Sequence, residues 1–300
     1  MTEPGDPLAG LDTVRWGELH HAYGPAADVP GRLAALRSPD PGARGEALNA
    51  LAGSVCHQGT TWEASREVIP FLAALIESPG TPGRAGILRL LTAITVGNHD
   101  EPPLDPDTAF AAARILDHAD VTALVARFHS EGDEYTDEEA GLLDAVAVRW
   151  ASDCYHRTAA LAPTITGWLA DPDDEVAAGA AALTAWLPPN PPAVTAWLAV
   201  PRDREGPRAS ANLALACCPS PGASVDAALQ EMLDTPSPTG GELVAVTAAV
   251  ACAYRNGPDT HPAAVSLLID AADRETLRDV PGWSRATRGF VMRALHRSGL

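Results

Sequence analysis

The sequence predicts an all-α protein, a right-handed α-solenoid of stacked helix pairs running through residues 1–300 as a single domain. Three observations carry that expectation. The chain is 46% hydrophobic but only 5% aromatic, so its core is built mainly from Ala, Leu and Val, and the abundant Ala, Leu and Arg favour helix. β-branched residues seldom alternate, which leaves little room for strands. Short polar residues followed by proline recur just before apolar periodic runs. In that arrangement the polar side chain caps a new helix, and proline takes the first position, where its missing N–H costs nothing.

The helix starts can be placed in order. Asp40-Pro41, Thr81-Pro82, Asp105-Pro106, Asp171-Pro172, Asn190-Pro191, Ser220-Pro221 and Ser237-Pro238 each read as a cap followed by a first turn. Thr136 and Glu139 have capping-box spacing and open a long helix from about Asp137. The helices come in pairs, and the pairs resemble one another. "VPGRLAALRSPDPGARGEALNALAGSV" begins at Val29, "VIPFLAALIESPGTPGRAGILRLLTAITV" at Val68 and "LAPTITGWLADPDDEVAAGAAALTAWL" at Leu161. Weaker copies run from Pro191 to Cys218, Gly222 to Arg255 and His261 to Arg297. A repeat of roughly 30–40 residues is the period of helical solenoids, in which one pair cannot bury its apolar stripe without a neighbour. Between the first pairs, "SVCHQGTTWEAS" reads as a joint: Gly59 supplies the left-handed residue that ends one helix, and Thr60 or Thr61 caps the next.

"LADPDDEVAAGAAALTAWL" resembles a HEAT repeat, with an Asp-rich turn, a Val, then small residues and Leu down the second helix. Together with "HAYGPAADVPGRLAAL", "HQGTTWEASREVIPFLAAL" and "ASDCYHRTAALAPTITGWL", it makes the stretch from about Trp16 to Pro188 similar to a family of actinobacterial HEAT-repeat (PBS-lyase HEAT-like) proteins of largely unassigned activity. The resemblance implies the solenoid fold. Members of that family usually carry Arg after the Val of the Asp-rich turn, whereas this chain has Ala177.

Charge narrows the function classes. The formal net charge is −18, and all 21 basic residues are arginines, so lysine-dependent phosphate and Schiff-base chemistry is excluded. The acidic balance argues against nucleic acid as a partner, including the basic groove that HEAT-like DNA glycosylases need, and favours a basic protein or peptide. Residues 98–144 hold thirteen acidic residues against Arg114 and Arg127, and depart from the repeat pattern. Within them "HSEGDEYTDEE" reads as a solvated loop, with Glu131, Asp133, Glu134 and Asp137 as partner-facing candidates. At the other end, Arg285, Arg288, Arg293 and Arg297 lie in a stretch without an acidic residue, where they can hold an anion or form a polar cap. Five cysteines, an odd number in mostly apolar surroundings, read as free thiols of a cytoplasmic protein. No apolar run is long enough to cross a membrane, and the N-terminus does not read as a signal peptide.

Common catalytic motifs are absent: there is no GxxxxGK[ST], HExxH, CxxC, GxSxG or GxGxxG. There is also no His-Glu dipeptide, which argues against the dinuclear-iron HEAT-repeat hydroxylases. His57, His99 and His156 stand at comparable positions in successive repeats, so they predict a row of imidazoles along one edge. Each also lies near a helix C-terminus, where it can satisfy free carbonyls instead. With no ordered carboxylate beside them they do not make a metal set, so neither metal nor cofactor is expected. Gln58, Thr60 and Trp62 form a polar and aromatic patch next to His57. Arg149, Asp153 and Arg157, spaced i, i+4 and i+8, predict an ion-pair ladder, with Tyr155 and His156 beside it. The candidates for ligand or partner contact are therefore His57, Gln58, Thr60, Trp62, His99, Arg149, Asp153, Tyr155 and His156. The function expected is a binding scaffold for a protein or peptide, one version being an immunity-type inhibitor of a basic toxin. The alternative is an enzyme or small-molecule binder of a biosynthetic pathway with a pocket near these histidines. The missing motifs weigh against catalysis.

Overall fold

The structure is a computed structural model and describes residues 5–130, 134–219, 222–234 and 241–300. Its regular structure is helical apart from two hairpins of two-residue strands. The chain divides into two compact units, one made of Met1–Asp100 with Leu104–Ala160, the other of Glu101–Pro103 with Leu161–Leu300.

In the first unit a 3-10 turn (Trp16–Glu18) leads to strands β1 (His20–His21) and β2 (Gly24–Pro25). Helices α1 (Val29–Ala35) and α2 (Pro41–Val55) form the first pair. The hairpin β3 (Cys56–His57) and β4 (Thr60–Thr61) precedes the second pair, α3 (Glu63–Glu77) and α4 (Arg84–Val96). Short helices α5 (Pro106–Ala109) and α6 (Thr122–His129) flank a 3-10 stretch, Ala111–His118, and the long α7 (Asp137–Ala159) packs on α3 and α4. The core holds Leu33, Leu51, Ile69, Leu72, Leu91 and Ile94. A buried hydroxyl pair, Thr95 to Thr158 at 2.9 Å, links α4 to α7.

Among the described residues the second unit holds four helix pairs. They are α8 (Ala162–Gly167) with α9 (Asp174–Trp186), α10 (Pro191–Ala199) with α11 (Glu205–Cys217), α12 (Ala223–Asp234) with α13 (Glu242–Asn256), and α14 (Pro262–Ala272) with α15 (Thr287–Arg297). From Val176 to Trp186, Pro207 to Ala216 and Leu243 to Ala253, almost every residue of α9, α11 and α13 is buried. Helices apolar all round belong in an interior, and their Ala, Gly and Ser side chains allow close approach. Polar stitches hold this layer together. Ser210 Oγ donates to Ala178 O at 2.7 Å, and Asn212 Nδ2 donates to Val244 O at 3.1 Å.

The caps at Asp40, Asp105, Thr136 and Asn190 form as the sequence predicts. Two do not. α4 starts after Gly83, which takes the left-handed conformation at φ 70°, so Thr81 belongs to the preceding turn. α9 is capped by Asp173, while Asp171 accepts from the Asp173 N–H within the turn before it. Ser220-Pro221 and Ser237-Pro238 lie outside the described residues.

The joint at "SVCHQGTTWEAS" is also built differently from the prediction. Cys56 pairs with Thr61 and His57 with Thr60, and Gln58 and Gly59 have φ 50° and 80°. Two successive left-handed residues make the two-residue turn whose twist suits a hairpin. Gly59 therefore turns a hairpin rather than ending a helix, and neither Thr60 nor Thr61 caps α3. Trp62 stands at the cap position, its N–H donates to Ser65 Oγ at 2.8 Å, and Ser65 Oγ donates to Val55 O.

An arginine near the start of the second helix recurs in three pairs, α1–α2, α3–α4 and α10–α11. Arg44 donates to Ser38 O and Pro39 O, Arg84 to Ile76 O, and Arg208 to Leu198 O and Val200 O. Each guanidinium satisfies carbonyls at the end of the preceding helix or in the turn after it, where a positive charge also favours the dipole. The pair containing Ala177 lacks this arginine, and Arg204 reaches Asp171 O at 2.7 Å from outside it.

Candidate functional site

The first unit brings together three groups that the sequence reading did not connect. His20 lies on β1, Glu63 is the first residue of α3, and His129 is the last residue of α6. Hairpin pairing places His20 against the start of α3, where its backbone N–H donates to Glu63 Oε2 at 3.2 Å. His20 Nδ1 lies 3.4 Å from the same oxygen, and His129 Nε2 lies 3.7 Å from Glu63 Oε1. These are ion-pair distances, long for hydrogen bonds, and both nitrogens are buried without a hydrogen-bond partner. The three ligating atoms all lie within 4.8 Å of one another.

The surroundings are aromatic. The His20 and His129 rings stack with centroids 3.7 Å apart, and Trp150 lies beyond His129 at 6.1 Å. Trp62 stacks between Trp150 and Phe128, at 5.8 and 6.0 Å. The side chain of His129 is 10% exposed, that of His20 23% and that of Glu63 26%. The adjacent His129 imidazole outweighs the cost of burial and, with help from His20, holds the Glu63 carboxyl below the usual carboxylate range. Two imidazoles and a carboxylate converging in a half-buried aromatic niche can hold a cation or share protons.

The residues singled out from the sequence are distributed differently. His57 is half-buried, with Nδ1 3.2 Å from both the Tyr23 hydroxyl and Gly53 O. Gln58 and Thr60 are exposed on the β3–β4 hairpin, and Asn98 Nδ2 donates to Gln58 O at 3.2 Å. Trp62 belongs to the aromatic niche. His99 and His156 both face Phe110, at 6.1 and 6.3 Å, and burial pushes the His99 imidazole below its ordinary range, with Asp100 opposing. Tyr155 is fully buried and donates to Leu104 O at 3.4 Å.

The ladder on α7 does not form. Arg149 pairs with Asp117 at 2.8 Å and donates to Ala113 O, Asp153 pairs with Arg66 at 3.3 Å, and Arg157 is exposed. Partners on other elements win over i, i+4 neighbours because the packing of α3 and the 3-10 stretch against α7 presents them directly.

Of the acidic candidates, Glu134 and Asp137 are exposed, and Asp137 opens α7, while Glu131 and Asp133 lie outside the described residues. The stretch from 98 to 144 carries α5, α6 and the first residues of α7. In the second unit the C-terminal arginines are committed: Arg285 and Arg293 both pair with Glu101, Arg288 donates to Arg274 O, and Arg297 lies 4.1 Å over the Tyr254 ring. Arg297 and Tyr254 line a cleft of about 460 Å³ together with Cys217 and Asp226.

No signal in the sequence spacing marks His20, Glu63 and His129, since hairpin and helix packing alone brings these distant positions together. The tandem His20-His21 was the only local oddity that could have drawn notice. No family model, curated protein or solved structure matches the chain.

Proposed function

We propose that the helix pairs are HEAT-like repeats of a right-handed α-solenoid, and that the chain is a binding scaffold taking a basic protein or peptide on the acidic surface of its first unit. The repeat reading draws support from the succession of described pairs from α8 to α15 and from the arginine that recurs at the second helix of three pairs. The partner reading rests on one observation. Exposed carboxylates, among them Asp105, Asp120, Glu134, Asp137 and Asp144, crowd residues 98–144, while the two arginines of that stretch are already paired. Arg114 holds Asp107 at 3.2 Å and Arg127 holds Glu139 at 2.6 Å. Such a surface repels itself, and a basic partner relieves it while gaining in association rate. A basic toxin neutralised by this chain would be one such partner.

The test starts with affinity capture from the native host, followed by surface plasmon resonance of the captured partner. In the variant Glu131→Gln, Asp133→Asn, Glu134→Gln and Asp137→Asn, the association rate should fall by about tenfold at low salt and its salt dependence should flatten. Unchanged association at low salt would leave the carboxylates as a solvated surface and refute the reading. The second reading, a small-molecule binder or enzyme, draws support from His20, Glu63 and His129 rather than from the predicted row of His57, His99 and His156.

A further inference from the structure

We infer that His20, Glu63 and His129 form a binding site for one zinc ion, with the fourth position open to water or an exogenous ligand. Zinc takes imidazole nitrogen and carboxylate oxygen at roughly 2.0–2.2 Å in tetrahedral geometry, which puts neighbouring ligand atoms about 3.3–3.5 Å apart. The two His-to-Glu63 separations, 3.4 Å from His20 to Oε2 and 3.7 Å from His129 to Oε1, lie at and just beyond that range. The site tightens to that geometry by rotation of the two imidazoles, which now lie face to face. Each nitrogen already abuts one Glu63 oxygen, Oε2 for His20 and Oε1 for His129.

The burial of these nitrogens is a second indication. Beyond their ion-pair contacts with Glu63, His20 Nδ1 and His129 Nε2 are sealed from solvent and make no hydrogen bond. Buried polar atoms are rarely left so, because each costs about 1–3 kcal/mol, and a bound ion is a common reason for the exceptions. Donor chemistry narrows the ion. Calcium and magnesium take oxygen ligands almost exclusively, whereas two imidazoles with one carboxylate suit zinc, which needs one further ligand for its tetrahedron, or ferrous iron, which needs three more positions. The His20 backbone N–H donates to Glu63 Oε2 and so helps to orient the carboxylate, as outer hydrogen bonds do in metal centres. Trp62, Phe128 and Trp150 wall the niche and keep it partly dry, which strengthens the attraction between the carboxylate and a cation. Three protein ligands are the number that leaves zinc a free position.

The experiment uses the full chain, stripped with a chelator and titrated with zinc chloride by calorimetry, with cobalt(II) as a visible probe of tetrahedral coordination. One equivalent should bind. His20→Gln and the double variant Glu63→Gln, His129→Gln should each weaken binding by about 100-fold or more and abolish the tetrahedral cobalt spectrum. Circular dichroism checks the fold of each variant, and His20→Gln, a single change on the small hairpin, keeps the test decisive if the double variant misfolds. Cys217→Ser with Cys218→Ser, and separately His57→Ala, should leave the titration unchanged. Absence of a stoichiometric site, binding that survives His20→Gln, or binding lost with the cysteines or His57 overturns the assignment and leaves adventitious metal only.

Discussion

Gly59 sits where two constraints meet. Its φ of 80° belongs to the left-handed region, and a β-carbon there would collide with the Asn98 side chain that bonds to Gln58 O. Gly59→Ala should therefore lower stability by about 1–3 kcal/mol, read from the urea midpoint. In an Asn98→Ala background the collision disappears while the backbone cost remains, so the penalty should shrink without vanishing. A glycine in that position is visible in the sequence, but its purpose is not. "CHQGTT" offers a left-handed residue without saying whether a helix ends or a hairpin turns, and the turn was settled by Gln58 also adopting positive φ. The same limit explains α7. The i, i+4 spacing of Arg149 and Asp153 is a real local tendency worth only a few tenths of a kcal/mol, too small to compete with Asp117 and Arg66 arriving from neighbouring elements.

At the scale of elements, the local rules worked where both halves of an interaction lie within a few residues. The capping box of α7 is complete: Glu139 N–H donates to Thr136 Oγ1 at 3.2 Å, and Thr136 N–H donates to Glu139 Oε2 at 3.0 Å. Thr136→Ala should cost about 1 kcal/mol in chemical denaturation. The Thr136 N–H, with help from Arg127, holds the Glu139 carboxyl below the usual carboxylate range. A depressed folded value means that this contribution is fully present above the ordinary carboxyl titration and is lost as pH falls through the lower folded value. The stability gap between wild type and Glu139→Gln should therefore be constant near neutrality and close only in acid, as followed by urea midpoints against pH. The helix pairs were legible for the same reason as the caps, since periodicity and proline placement are local. The site of His20, Glu63 and His129 was not, because β1, α3 and α6 contribute one residue each and no short window contains two of them.

Over the whole molecule, composition foretold a helical protein with a core of small aliphatic residues, and the division into two units went unseen because no linker composition announces it. What the composition does to the second unit reaches beyond packing. Helices α9, α11 and α13 are enclosed around their circumference, so their amides have no route to solvent short of opening the unit as a whole. Their protons should trade for deuterium at a rate set by global unfolding, uniformly along Val176–Trp186, Pro207–Ala216 and Leu243–Ala253. The amides of the β1–β2 and β3–β4 hairpins, held by two-residue ladders, should exchange many orders of magnitude faster, as measured by mass spectrometry of pulse-labelled peptides. A gradient of protection falling steadily from one end of the three helices to the other would instead mean that the pairs peel away one at a time, each with its own opening free energy, as in a one-dimensional chain of weakly coupled repeats.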